Sequence, residues 1–173
     1  MPWVRGIVLG WLAMVGVDLF LHAGLLAPLY DWDSPFLVSP EEAFVRIPAG
    51  YLAFLGLAAA LTWLLAKVGV HRGRDGAMLA CAAGAVIWGA LVLGLWSIST
   101  ADPLLLIGWW LGQTVELAVA GYVIGSAMAG ARLRNLALLV GAILVLGAAS
   151  AVLLQSIGYA PAPAVVVPAS SSA

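Results

Sequence analysis

The chain has 173 residues, of which 64% are hydrophobic and 9% are charged, and its formal net charge is −1. A mean hydropathy of +1.11 lies far outside the range of soluble domains, so the composition excludes a protein whose main solvent is water. The near-neutral charge provides no basic surface, which excludes nucleic acid as a partner.

Five apolar runs, separated by short polar breaks, divide the chain. A helix of about 20 residues crosses the roughly 30 Å hydrocarbon core of a bilayer, and each run is at least that long. None alternates between apolar and polar residues as a barrel strand would. We therefore predict an all-α integral membrane protein in which residues 1–158 form one bundle of five transmembrane helices, at about 4–29, 47–68, 77–98, 103–128 and 136–157.

The first run has Arg5 ahead of its apolar stretch, a pattern that secretory signal peptides share. Its length and its internal Asp18 favour a retained membrane anchor instead. Asp18 and His22 are four residues apart, so they project from the same side of a helix and are able to bond each other. Ionisable groups at membrane depth are costly, and this pair is therefore predicted to face protein.

The longest connection joins the first two spans. Ser39 can cap a helix that has Pro40 in its first turn, which predicts a short interfacial helix between the spans. Pro48 should either kink that helix or restart the chain as span two. Aromatic side chains of the connection are predicted to anchor it at the level of the lipid headgroups: Tyr30, Trp32 and Phe36.

Small residues at helical spacing predict where helices approach closely. On span four, Gly108 and Gly112 share a face with Glu116, whereas Gly121 and Gly125 lie on a different face, so this span has two contact surfaces. Either both surfaces are used inside a tight monomeric bundle, or one is used inside and the other binds a partner or a second copy. The predicted packing positions are Gly6, Gly10, Gly84, Gly89, Gly108, Gly112, Gly121 and Gly125.

An intramembrane polar cluster is predicted if spans one and four touch. Its members are Asp18, His22, Gln113 and Glu116. Such a cluster is able to relay protons, because buried carboxylates favour the neutral form and histidine titrates near physiological pH. The alternative is structural: buried polar groups bond one another and fix which helices pack together.

Motifs of catalysis and cofactor binding are absent from the sequence, so no enzyme activity, catalytic residue or cofactor is predicted. No metal site is predicted either, because Asp18, His22 and Glu116 offer three ligands at most and no repeated histidine spacing. The stretch from His22 to Trp32 is similar to the histidine and tryptophan spacing of bacterial light-harvesting polypeptides. Haem or chlorophyll ligation at His22 therefore stays open.

Basic residues predict the orientation, because Lys and Arg near span ends stay cytoplasmic. With a cytoplasmic amino terminus, the carboxyl terminus lies outside after five spans, and residues 159–173, rich in Pro, Ala and Ser, form a disordered tail. Only Arg46 is then external. The cytoplasmic basic residues are Arg5, Lys67, Arg72, Arg74, Arg132 and Arg134.

An acid in the first span, Asp18, is combined with Pro103, Trp110 and Gly112 at the start of the fourth. Through these features residues 11–127 resemble a class of small uncharacterised four-helix bacterial inner-membrane proteins, which has no assigned activity. The resemblance implies a multi-pass protein of the bacterial cytoplasmic membrane. The fifth span and the Pro-Ala tail depart from the class.

Two functions follow from these patterns. The first is an accessory or interaction subunit whose small-residue helix faces meet a membrane-protein partner or a second copy within the lipid bilayer. The alternative is a small proton-coupled transporter or channel that uses the intramembrane polar residues.

Overall fold

The computed structural model describes residues 2–30 and 34–161, and in these ranges the chain is built from five long helices. Trp3–Leu25 and the four later helices are each long and apolar enough to cross a membrane, which confirms the predicted five-helix, all-helical architecture. The helices are α1 Pro2–Phe20, α2 Pro40–Val68, α3 Gly73–Ile98, α4 Pro103–Met128 and α5 Leu133–Ser156. Most of the predicted tail, residues 162–173, lies outside the described residues.

Helix α4 lies at the centre of the bundle. Helix α3 packs along one side of it and α1 along the other, while α2 and α5 pack mainly against α1. Half of the residues in the apolar stretch of α4 are buried, whereas only 11% of those in α3 are. Helix α4 therefore supplies most of the contact surface. The main core cluster joins α1, α2, α3 and α4 and includes Met14, Leu61, Leu65, Leu117 and Ile124.

The contact between α3 and α4 is made by small residues. A Cβ atom built on Gly121 would overlap the carbonyl oxygen of Gly76, and one built on Gly125 would lie 2.7 Å from the carbonyl oxygen of Arg72. Further along, Gly84 faces Leu117 and the backbone of Thr114. The two helix backbones therefore touch directly along this seam, which a larger side chain would force apart.

The predicted packing glycines on α1 also face neighbouring helices. A Cβ on Gly10 would lie 2.7 Å from Ile124, and one on Gly6 would lie 3.4 Å from the same side chain. Residues Gly108 and Gly112 receive the end of the first span, and Gly89 receives the indole of Trp110. All eight predicted positions thus lie at contacts within the chain. Close contacts also occur at glycines outside the predicted set, among them Gly76 opposite Gly121, and Gly16 and Gly147, where α1 and α5 meet backbone to backbone.

Helix α2 differs from the prediction of a separate interfacial helix. Ser39 does cap it, since its hydroxyl accepts a hydrogen bond of 3.2 Å from the Glu42 amide, but the helix then continues through Pro48 to Val68. An internal proline removes one hydrogen bond and crowds the carbonyl four residues earlier, which can kink a helix without ending it. Residues 44–50 are all exposed, so this half of α2 stands away from the other helices.

The first span also differs from a single regular helix to residue 29. After Phe20 it continues as a π-helical turn, Leu21–Leu25, and a 3₁₀ turn, Ala27–Leu29. The carbonyl groups left open there are satisfied by the end of α5: Gln155 donates to Ala23 over 3.1 Å, and the Tyr159 hydroxyl donates to Leu25 over 3.2 Å. Tyr159 and the buried Ala160 therefore contact the bundle, within the first residues of the segment predicted as a disordered tail.

Candidate functional site

The contact between α1 and α4 brings Asp18, His22, Gln113 and Glu116 together, and we call these four residues the polar cluster. Ligand atoms of Asp18, His22 and Glu116 all lie within 4.8 Å of one another. Glu116 is completely buried and Gln113 is 6% exposed, near the middle of α4. The four residues predicted from the sequence to form an intramembrane polar cluster therefore lie together as one compact group of side chains.

Glu116 is held by one neighbour and approached by another. The side-chain amide of Gln113 donates to Glu116 Oε2 over 2.9 Å. His22 Nε2 lies 3.4 Å from Glu116 Oε1, within ion-pair distance, and neither atom has another hydrogen-bond partner among the described residues. Gln113 Oε1 is buried without a hydrogen-bond partner among these residues. The polar cluster is therefore joined by one hydrogen bond and one ion-pair contact, and the hydrogen-bonding capacity of these three atoms is only partly used.

Tyr30 joins the polar cluster from the far side of His22. Its hydroxyl lies 2.6 Å from His22 Nδ1 and accepts a hydrogen bond of 3.0 Å from Trp109 Nε1. Burial raises the pKa of Tyr30, so the hydroxyl keeps its proton. A connected series of polar groups therefore runs from Trp109 through Tyr30 to His22 and Glu116.

Two of the three predicted headgroup anchors, Tyr30 and Phe36, make contacts within the protein. The Tyr30 hydroxyl finds its partners inside the protein, and Phe36 packs against the Trp109 ring with centroids 5.9 Å apart. Both side chains are partly buried rather than displayed at an outer surface. Trp32, the third predicted anchor, lies outside the described residues.

The π-helical turn places the His22 ring. Its wider backbone, with Leu26 N bonded to Leu21 O over 2.7 Å, changes the direction of side chains just past Asp18. Gly112 lies beside the ring, since a Cβ built there would be in van der Waals contact with His22 Nε2 at 3.5 Å. Turns of this kind occur often at functional sites, where they re-aim one side chain at modest cost.

Asp18 faces α2 rather than α4 alone. Its carboxylate interacts with the Tyr51 hydroxyl, and the Trp11 indole donates to the Tyr51 carbonyl over 2.8 Å. Tyr51 was not singled out from the sequence, where it is an ordinary aromatic residue in an apolar run. Its position beside Asp18 shows that three helices, and not two, surround the polar cluster.

A cavity of about 780 Å³ opens beside the polar cluster, where the exposed half of α2 stands away from α1 and α4. Pockets of this size hold small organic molecules or hydrated ions. Asp18, His22 and Gln113 contribute polar atoms to its wall, and Gln155 contributes another that sequence reasoning missed. The aromatic lining consists of Tyr30, Phe44, Tyr51, Phe54, Trp88 and Trp109.

The charge of the cavity wall is one-sided. Among the described residues that line it, Asp18 is acidic and none is lysine or arginine. The nearest basic side chain of this part of α2, Arg46, is exposed and paired with Glu42. The electrostatic character of the cavity therefore favours a cation over an anion.

No family model matches the chain, and neither a curated protein nor a solved structure matches it.

Proposed function

We propose that this protein is a small proton-coupled carrier or channel for a cation, with the cavity as its solute site and the polar cluster as its coupling site. One observation carries the proposal: the polar cluster borders an open cavity instead of being packed shut. Polar groups that served only to hold helices together would be fully bonded among themselves. Here Asp18, His22 and Gln113 line the space that a solute would occupy, and Glu116 contacts both His22 and Gln113.

The series from Tyr30 through His22 to Glu116 supports the coupling role, because each of these three groups can both give up and accept a proton, while Trp109 orients Tyr30. Each neighbouring pair in it is separated by 2.6 to 3.4 Å, distances over which a proton passes after small side-chain movements. Gln113 then extends the series by its bond to Glu116. Binding of a solute in the cavity would change the hydrogen bonding of His22 and Glu116. Solute binding would thereby be coupled to the gain or loss of a proton at these two groups.

The test uses the full chain reconstituted in liposomes that contain a pH-sensitive dye. We expect protein-dependent proton movement when a small cation is supplied on one side, with Na⁺, K⁺, Mg²⁺, Zn²⁺ and tetramethylammonium as the panel. Glu116→Gln should reduce the rate to that of protein-free liposomes, because it removes the ionisable group and keeps the side-chain shape. The matched control is Glu41→Gln, an exposed carboxylate outside the cavity wall. Proton movement that is absent with every cation, or unaffected by Glu116→Gln, would refute the proposal.

The proposed setting is the bacterial cytoplasmic membrane, with the amino terminus cytoplasmic and the carboxyl terminus outside. Support comes from the outer surfaces of the helices, which expose large apolar side chains such as Trp63, Ile98 and Leu138. Patches of this extent are unfavourable in water and suited to lipid. The connections at residues 69–72 and 129–132 lie at one end of the bundle and hold basic residues, which supports a cytoplasmic location for that end.

A labelling experiment tests this orientation. Single cysteines at Arg72, Arg132 and Thr100 are introduced into a Cys81→Ser background and exposed to a membrane-impermeant thiol reagent in intact cells. We expect Thr100→Cys to react from outside, and Arg72→Cys and Arg132→Cys to react only after the cells are opened. Labelling of the two arginine positions from opposite sides would contradict five spans.

An accessory or interaction subunit is the second candidate. The observation that favours it is the exposure of α3. Among the described residues, α3 has extensive contact with α4 alone, and only 11% of the residues in its apolar stretch are buried. The small-residue faces predicted to meet a partner, however, are occupied within the chain. A stoichiometric partner that copurifies in mild detergent, together with no proton movement, would favour this candidate.

Haem or pigment ligation at His22 is less well supported by the geometry. Nδ1 of the ring is bonded to Tyr30, and Nε2 faces Glu116 at 3.4 Å. A macrocycle needs an open face beside the ligating nitrogen, whereas this gap accommodates only a compact ion.

A further inference from the structure

We infer that Asp18, His22 and Glu116 form a binding site for a divalent first-row transition-metal ion, with Zn²⁺ as the best fit. This site specifies the solute of the proposed function: that the bound ion is also the transported cation rests on the proposed function. Nitrogen and oxygen ligands from α1 and α4 would close around the ion at the inner end of the cavity.

Unused bonding capacity is the first support. His22 Nε2 and Glu116 Oε1 are buried, lie 3.4 Å apart as an ion-pair contact, and have no other hydrogen-bond partner among the described residues. Incomplete hydrogen bonding is costly in a hydrocarbon setting, so this pair has capacity for a further ligand. A metal ion in the gap would bond both atoms at once. Gln113 Oε1, also buried without a partner, is a further oxygen beside the same carboxylate.

The distances fit a compact ion. In a tetrahedral zinc site with bonds of about 2.0 to 2.1 Å, two ligand atoms are roughly 3.3 Å apart. The separation of His22 Nε2 and Glu116 Oε1 is 3.4 Å, which matches. Ligand atoms of all three residues lie within 4.8 Å of one another, so rotation of the partly exposed Asp18 side chain completes the site.

The charge selects a divalent ion. Asp18 and Glu116 together carry two negative charges when ionised, and neither lysine nor arginine lines the cavity among the described residues. One divalent ion neutralises both carboxylates, whereas a monovalent ion leaves a net charge inside the membrane, which is costly. The imidazole nitrogen favours a transition metal over Mg²⁺ or Ca²⁺, which prefer an all-oxygen environment.

The surroundings of His22 match those of a metal-ligating histidine. Such a ring usually donates its second N–H to a hydrogen-bond acceptor, which fixes the tautomer and the ring direction. The Tyr30 hydroxyl lies 2.6 Å from His22 Nδ1 and is itself oriented by Trp109. With Nδ1 donating to Tyr30, the lone pair of Nε2 points at the gap beside Glu116.

The experiment measures binding to the purified full chain in detergent, without any transport. Exposed His71 and Cys81 could bind zinc adventitiously, so the background carries His71→Gln and Cys81→Ser. After chelator treatment, dialysis against Zn²⁺ should give about one ion per chain by elemental analysis, and Mg²⁺ should give none. Co²⁺ in its place should produce the intense visible bands of a four-coordinate site.

Three variants assign the ligands: Asp18→Asn, His22→Gln and Glu116→Gln. Each should weaken zinc binding at least about 100-fold, since even loss of a supporting hydrogen bond costs 10-fold to 100-fold. Glu41→Gln is the matched control and should bind as the background does. Variants are compared only if they elute as the background protein does, and the stoichiometry and cobalt spectrum of the background decide the matter if none does.

Two outcomes would overturn the inference: a background protein that binds less than about one ion per ten chains, or zinc binding that persists in all three variants. The first result combined with proton movement driven by another cation would leave the proposed function standing. Zinc binding without any proton movement would support the metal site and would refute the proposed function as a proton-coupled carrier or channel.

Discussion

Replacing Gly121 with leucine is expected to lower the free energy of unfolding by about 1 to 3 kcal/mol, the range observed when side chains are forced into packed cores. The cause is the seam between α3 and α4, where even a Cβ on Gly121 would overlap the backbone carbonyl of Gly76. Backbone atoms cannot rotate away as a flexible side chain does. The helices would have to separate, and the contacts along the whole of α3 would weaken with them.

The measurement is reversible unfolding from mild detergent micelles by addition of a denaturing detergent. Gly94→Leu on α3 is the matched control, because nothing lies within 4 Å of a Cβ at that position. It should not destabilise the protein and is expected to stabilise it by up to about 1 kcal/mol, because leucine favours a helix interior more than glycine does. Equal stability of the two leucine variants would show that α3 and α4 do not meet along this seam.

Replacing Tyr30 with phenylalanine is expected to destabilise the protein by about 1 to 3 kcal/mol, although the ring is kept. The lost hydroxyl accepts the Trp109 indole hydrogen bond and pairs with His22 Nδ1, so two partly buried groups would lose their partner. The effect should also reach Glu116, because the direction of the His22 ring depends on Tyr30. Trp109 fluorescence should shift as its indole loses a hydrogen bond.

The control for this variant is Tyr122→Phe, which removes a hydroxyl from an exposed position on α4. Detergent unfolding and the fluorescence spectrum are recorded for both proteins. A Tyr30→Phe protein as stable as Tyr122→Phe, with an unshifted spectrum, would mean that the Tyr30 hydroxyl is not held between Trp109 and His22.

The helices were predictable because hydrocarbon sets a minimum length for each apolar run, and Pro103 and Gly69 mark ends that hold in the structure. The polar cluster was predictable for a related reason. Asp18 and His22 share a helical stripe, and an acid such as Glu116 at membrane depth must face protein. The meeting of these residues required only that α1 and α4 touch, which they do.

The cavity was not predictable, because it depends on how far one helix stands from another. Nothing in the apolar run around Tyr51 distinguishes a helix packed against its neighbours from one held away from them. Pro48 suggested a break, yet a proline on an exposed face is compatible with a continuous helix. The contacts that Tyr30 makes inside the bundle were not predictable, because an aromatic residue next to a span has the same sequence context at a headgroup as inside a bundle.

The dependence of α1 on the last two helices has a consequence for biosynthesis. Trp109 follows its partner Tyr30 by 79 residues, and Gln155 follows Ala23, whose carbonyl it satisfies, by 132 residues. The first helix therefore leaves the ribosome long before the groups that match its polar atoms exist. A nascent chain truncated after α3 would hold Asp18 and His22 without α4, and we expect the cell's quality-control proteases to degrade it.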